Sequence, residues 1–173
     1  TPIVTVMHML AAALWPETSF SAAWQVMWFT LKSNACDLEG KSPSAGSLSK
    51  ARMRLPLAVW RHISDWISRQ AQELSEPLDK WRGLRVVLLD GMCVSMPQSA
   101  SLFEAFGRGK GRCGEYRYPL ARLVAMSLAN TMTVISYALG SYHTDETVLA
   151  AGLLETLREG DILLADRHFG GAH

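Results

Sequence analysis

The apolar positions along this 173-residue chain change period once, and the change divides the sequence. Up to about residue 80 they recur at helical spacing. Ile3 to Trp15 is an apolar run that contains His8. It falls short of the about 20 apolar residues that a bilayer span needs, so it predicts a core helix. Ser19 or Ser21 can cap a second helix through about Ser33, with Trp24, Val26, Met27, Trp28 and Leu31 as its apolar contacts. Gly40 to Gly46 is rich in Ser, Pro and Gly and predicts a loop. Ser47 to Leu55 resumes the helical pattern. Pro56 suits the first turn of another helix, where its missing N–H costs nothing. That helix is expected from Leu57 to about Glu73, with Val59, Trp60, Ile63, Trp66 and Ile67 on one buried face.

From about Leu78–Gly83 onward the period becomes that of strands. Val86 to Leu89 is an apolar, half β-branched run that stops at Asp90 and Gly91, which predicts a buried strand over Arg85–Asp90. Met92 to Tyr118 reads as a long, mostly irregular stretch, of a length that inside a compact domain is usually functional or disordered. Leu120 to Leu128 and Met132 to Leu139 predict a hairpin around Asn130-Thr131. Thr144 or Asp145 can cap a helix through Leu157 whose stripe is Leu149, Leu153, Leu154 and Leu157, with Gly160 at its stop. Asp161 to Ala165 is the last strand, and it ends in Asp166. The expected class is α/β, an α+β mixed sheet over residues 81–173 preceded by an all-helical region over residues 1–80.

Composition adds bounds. With 49% apolar and 19% charged residues the chain suits one ordinary globular domain, or a domain with a smaller companion. A net charge of +1 neither favours nor excludes a nucleic-acid partner, so local clustering has to decide. Cys36, Cys93 and Cys113 contain no Cys-x-x-Cys pair, which argues against zinc ribbons and dithiol redox sites and for free thiols in a reducing cytoplasm. The start lacks the positive flank of a secretory signal. The absence of an initial Met and the abrupt end at His173 suggest a fragment cut at both ends.

Two strands end alike: Val-Val-Leu-Leu-Asp90 and Ile-Leu-Leu-Ala-Asp166. If they lie side by side and parallel, both carboxylates emerge at one edge of the sheet. Two facing carboxylates repel unless protonated or bridged by cations. Hard divalent ions such as magnesium accept oxygen ligands, and a pair of them roughly 4 Å apart suits phosphodiester cleavage. The plainer explanation is that Asp favours turns at strand ends.

Val87-Leu-Leu-Asp-Gly91, Tyr118-Pro-Leu-Ala-Arg-Leu-Val124, Gly140 followed by Glu146-x-x-Leu149, and Gly160-Asp-Ile-Leu-Leu-Ala-Asp-Arg-His-Phe169 occur in this order. Together they resemble the DDE transposases of the insertion-sequence-four family over about residues 85–173. Ser49-Lys-Ala-Arg-Met-Arg-Leu-Pro56 is similar to that family's helical leader. The resemblance implies a ribonuclease H-like core in which the first and fourth strands are neighbours. It also implies that Asp90 and Asp166 are the first two catalytic, metal-holding acids, and that the intact protein uses two magnesium or manganese ions. The family's third acid is a Glu in a later Tyr-Arg-Glu-Lys signature, which no residue of this chain matches. Gln98 also departs from the commonest pattern, where an Asp is frequent. The resemblance further implies a bacterial, cytoplasmic, nucleoid-associated protein that acts on transposon-end and target DNA, as a homodimer and without a membrane.

Candidate DNA contacts are the cations. Arg108, Lys110, Arg112 and Arg117 stand among glycines, which let a backbone approach a phosphate closely. Lys50, Arg52 and Arg54 fall on a short helix, and Arg167 follows Asp166. For each group the plainer reading is a solvated face or loop. Arg122 lies inside a strand pattern, and facing inward it would need a carboxylate partner. His168 suits a structural or phosphate-positioning role. Glu146 at a helix start is explained by capping electrostatics, with an indirect role at the site open. The Trp residues recur at helical spacing and suit a core.

The expected function is metal-dependent DNA strand cleavage and transfer in transposition of an insertion sequence. A catalytically inert DNA-binding remnant and another ribonuclease H-like nuclease remain the alternatives.

Overall fold

The computed structural model describes residues 2–33, 43–75, 78, 80–111 and 114–171. The chain divides into two compact units, 1–62 and 63–173.

The first unit holds α1 (Pro2–Leu14), α2 (Phe20–Ser33) and α3 (Ala45–Met53). Ser19 is the residue that caps α2, its hydroxyl accepting the Ala22 N–H at 3.1 Å. Ser44 does the same for α3 through the Ser47 N–H at 3.2 Å. This cap starts α3 two residues before Ser47 and draws Gly46 out of the expected loop into the helix. Residues 40–42 of that loop lie outside the described residues. Ala11, Trp24, Met27 and Leu48 form the core of the unit. His8 is fully buried beside them, its Nε2 bonded to the Phe20 carbonyl at 2.7 Å and its ring against Phe20 and Trp24. The apolar run of α1 enters the core on one side only, through Thr5, His8 and Ala11, while Ile3, Met7, Leu10 and Leu14 are exposed. Val26 is exposed, off the buried side of α2, and the Leu31 side chain lies outside the described residues.

Helix α4 (Leu57–Ser75) opens after Pro56, whose carbonyl accepts the Val59 N–H. Its expected buried face is only partly covered. Val59, Trp60 and Ile63 are half-buried, whereas Trp66 and Ile67 are exposed. The C-terminal half is held through a polar edge instead. Ser68 donates to the Val134 carbonyl at 2.7 Å, and Gln72 accepts from Arg85 at 3.1 Å and Arg158 at 3.2 Å. Ser68 and Gln72, four residues apart, share one side of the helix.

The second unit is built on a six-stranded mixed sheet. Its strands are β1 (Lys80–Trp81), β2 (Leu84–Ser95), β3 (Arg108–Gly111), β4 (Gly114–Leu128), β5 (Val134–Ser141) and β6 (Asp161–Ala165). The central order is β5–β4–β2–β6. β2, β4 and β5 run antiparallel as a meander, and β6 returns parallel to β2. The first and fourth long strands are thus neighbours, the relation the resemblance implied. The short helices α5 (Ala100–Phe106) and α6 (Glu146–Ala151) complete the unit.

Three expected elements differ. β2 does not stop at Asp90 but runs to Ser95, because β4 pairs with it from Val87↔Leu128 to Ser95↔Leu120. The stretch from Met92 to Tyr118 is not irregular. It holds the end of β2, then α5, capped by the Ser99 hydroxyl, then β3 and the start of β4. The helix expected through Leu157 ends at Ala151, a 3₁₀ turn at Leu154–Thr156 follows, and Leu154 is left exposed. Gly160, with φ of 86°, makes the left-handed turn into β6 rather than closing the helix.

Strand alternation sets the core. Val87 and Leu89 of β2 face Leu128 and Met126 of β4, and Val124, Ile135, Ala150 and Leu153 join them. Burying each of these side chains other than Ala150 contributes about 1.5–3 kcal/mol. The parallel register is pinned at its start. Arg85 stands opposite Asp161 and clamps it, Nε to Oδ1 at 2.7 Å and Nη2 to Oδ2 at 2.5 Å. The Arg158 N–H adds a bond to Oδ2 at 2.8 Å. Burial pushes the Asp161 carboxyl up, but the bonds from Arg85 and the Arg158 N–H outweigh it and hold the group below its ordinary range.

Candidate active site

The parallel ladder fixes where the two strand-end acids stand. Its last pair is Leu89↔Ala165. Asp90 and Asp166 are the next residue on each chain, so register brings them to adjacent positions at the open end of β6, on strands spaced about 4.8 Å apart. Both are exposed. Asp90 is not at a strand end: it lies inside β2, at the level where the parallel partner ceases. Each carboxylate accepts one local backbone bond at 2.8 Å, from the Gly91 N–H to Asp90 Oδ1 and from the His168 N–H to Asp166 Oδ1. One accepted bond leaves most of a carboxylate's acceptor capacity in place.

The start of α6 closes on the same place. Asp145 caps the helix, accepting the Thr147 N–H at 2.9 Å and its hydroxyl at 2.8 Å. The bonds from the Thr147 N–H and hydroxyl, ahead of the nearby His168 and Arg122 charges, hold the Asp145 carboxyl below its ordinary range against a smaller opposing effect of burial. His168 Nε2 stands 3.8 Å from Asp145 Oδ1, which ties the turn carrying Asp166 to the helix start. Glu146 lies over Gly91, the residue after Asp90, and pairs with Arg122 at 3.5 Å. Arg122, inside β4, thus has the carboxylate partner that an inward arginine requires, and its guanidinium lies 5.4 Å from the Tyr142 ring centroid. Its buried Nε has no hydrogen-bond partner. Glu146 therefore acts in a side-chain pair and not only on the helix dipole. A cavity of about 390 Å³ between α6 and β6, floored by Leu89, Ala150 and Leu163, has Asp166 at its edge.

Residues 81–173, more than half of the chain, match the protein family described as "Transposase DDE domain". The chain belongs to this family. A curated relative, "Putative transposase InsZ" of Escherichia coli (strain K12), is 29% identical over 128 residues, 71% of this chain and 42% of the relative. The chain therefore spans about two fifths of that relative's length. No solved structure matches it. The family match begins on β1 and takes in every strand of the sheet, so the DDE transposase domain is the unit that carries both acids.

DDE transposase domains generally use divalent metal ions. Asp90 and Asp166 offer the hard oxygen donors such ions take. Among the described residues no group of three or more His, Cys, Asp or Glu side chains is placed to hold a metal ion.

The cations expected at DNA fall in separate places. Arg108 and Lys110 lie on β3 and Arg117 on β4, all exposed, and Arg112 lies outside the described residues. Arg108 is partly engaged, 3.5 Å from Glu115 and 4.2 Å from the Phe103 ring centroid. Arg167 is exposed beside Asp166. Lys50 and Arg52 lie on α3 and Arg54 at its C-cap, all exposed, with Arg52 5.6 Å from the Phe20 ring centroid. Cys93 is a free, exposed thiol, and Cys36 and Cys113 lie outside the described residues. Among the described residues no helix is long and apolar enough to cross a membrane.

Proposed function

We propose that this chain is part of a DNA transposase of the insertion-sequence-four type, with residues 1–80 as a helical leader and 81–173 as part of a ribonuclease H-like catalytic domain. The observation that carries the reading is the register of the parallel ladder, which leaves Asp90 and Asp166 side by side. In the intact protein these two carboxylates hold magnesium or manganese, two ions in all. When bound, the ions polarise the scissile phosphate and activate the attacking oxygen for cleavage at a transposon end and joining of the freed 3′ hydroxyl to target DNA. Asp90 is stiffened by β2 and by the Gly91 N–H, and Asp166 by its turn, so their carboxylates need little reorganisation to bind. Arg108, Lys110, Arg112, Arg117 and Arg167 position the phosphate backbone, and Lys50, Arg52 and Arg54 contact DNA from the leader. The protein works on DNA as a homodimer in a bacterial cytoplasm, at the nucleoid.

A second reading, in which this chain alone binds DNA without cutting it, is favoured by the lack, among the described residues, of any group of three or more His, Cys, Asp or Glu side chains placed to hold a metal ion. This second reading is tested by a magnesium- or manganese-dependent nicking assay on this chain alone, where nicking would overturn it. The first reading is tested by Asp90→Asn and Asp166→Asn in the intact transposase. Cleavage is expected to fall more than about 100-fold, the upper range for disturbing a metal site even indirectly, with DNA binding retained. Undiminished cleavage in either variant would remove these acids from the site.

A further inference from the structure

We propose that the cleft between the end of β2, the start of β4 and the turn after β5 binds an unpaired nucleobase of a DNA strand. The proposal rests on the DNA reading above.

The cleft has a volume of about 530 Å³ and is lined by Cys93, Ser95, Tyr116, Arg117, Tyr118 and Tyr142, with Leu120 behind them. Its size is that of a small-molecule site, for which about 300–1,000 Å³ is usual. Three of the four tyrosines in the chain line this one cleft. Tyr116 and Tyr118 remain 49% and 45% exposed, so they present ring surface to solvent instead of filling a core.

The strand geometry builds this group. β4 continues past its β2 ladder through Tyr118 and Tyr116, where its register with β3 shifts, and the pairs Ser95↔Leu120 and Cys93↔Arg122 bring β2 residues beside its end. Tyr142 is set by its backbone N–H, which donates to the Phe106 carbonyl at 2.8 Å. The basic strand β3 then lies directly on the rings. A Cβ on the buried Gly109 would stand 2.8 Å from Tyr116, 3.1 Å from Tyr142 and 2.7 Å from Leu120, so only glycine lets the backbone come this close. The β3 register shifts between Arg108 and Lys110, and both side chains stand exposed on either side of the buried Gly109. Arg117 stands 5.9 Å from the Tyr118 ring centroid. The result is an aromatic cleft joined to a cationic strand, the combination that holds a single strand by stacking bases and neutralising phosphates. The Ser95 hydroxyl and Cys93 thiol supply polar contacts for a base edge.

The cleft also lies within reach of the acids. Cys93 is three residues beyond Asp90 on β2, about 10 Å along the strand. Alternation turns Asp90 and Cys93 to opposite faces, and the edge of β2 beyond the last β6 pair joins the two.

The test uses the full 173-residue chain and fluorescent oligonucleotides, one a duplex and one the same duplex with a single-stranded end. Tyr118→Ala and Tyr116→Ala are expected to weaken binding of the single-stranded end about 5- to 150-fold, the range for loss of one base stack, and to leave duplex binding and the salt dependence unchanged. Tyr118→Phe keeps the affinity, and Tyr118→Leu, which preserves apolar packing without a flat ring, loses it. 2-Aminopurine in the unpaired end is quenched by the wild type and not by Tyr118→Ala. If all variants bind both oligonucleotides like the wild type, the cleft is not a base site and the DNA reading stands. If the wild type binds neither at low salt, the DNA reading itself fails.

Discussion

Gly91 and Glu146 are in such close contact that a Cβ on Gly91 would stand 2.6 Å from the Glu146 Oε2 and 2.7 Å from its Cδ. The obstructing atoms are the end of a flexible side chain, so Glu146 can give way, but only by loosening its 3.5 Å pair with Arg122. Gly91→Ala is therefore expected to destabilise the second unit by up to about 1 kcal/mol, the usual cost of loosening a partly exposed ion pair. In a Glu146→Ala background the same change should cost much less, since the obstructing atoms are gone. Urea unfolding of the two single variants and the double variant measures this coupling. Strictly additive effects would mean that the contact does not constrain the strand.

Arg85 and Asp161 form a clamp of two bonds with side chains only 9% and 5% exposed. Removing one partner leaves the other charge buried, at a cost of about 3–5 kcal/mol. Arg85→Met and Asp161→Asn should each lower the urea midpoint accordingly. The sign of the pH dependence follows from the carboxyl. Its folded pKa lies below 3.8, so its contribution is complete above that ordinary value and fades as the pH falls through the lower folded one. The wild type should lose stability through this interval, and Asp161→Asn should lose less over the same pH range. Parallel stability curves for the two would exclude the clamp as the source.

The fold was legible where one signal decided it. Val86 to Leu89 and Ile162 to Leu164 are apolar runs that pair in parallel, with Val87 and Leu89 buried but Leu164 left exposed, and Asn130-Thr131 separates two clear strands. Beyond Asp90 the local signal misled. Gly91 reads as a turn, but it is a glycine of close approach, needed because Glu146 lies on it from 55 positions further along the chain. Its cause is tertiary and leaves no local mark. The extension of β2 through Met92, Cys93 and Val94 is half exposed and paired on one side only, so its pattern lacks the full alternation of a buried strand. α5 did carry a readable sign, Ser99 as cap with Leu102, Phe103 and Phe106 at helical spacing, which the glycines around it obscured. Of the candidate site, the two acids stood out as matched ends of apolar runs, although Asp90 lies inside β2 and only Asp166 follows a strand end. The Arg122–Glu146 pair was readable only as half a sentence: an arginine in a strand demands an acid, but which acid depends on how α6 returns over β4.

The proposal that Asp90 and Asp166 share a divalent cation has a direct test. Ferrous iron, bound in place of magnesium with ascorbate and peroxide, cuts the backbone nearest to it, and mass spectrometry of the fragments from the full chain locates the cuts. Scission clustered beside Asp90 and Asp166, suppressed by excess magnesium and lost in both Asp90→Asn and Asp166→Asn, is the expected result. Scission elsewhere, or an unchanged pattern in either variant, would contradict it.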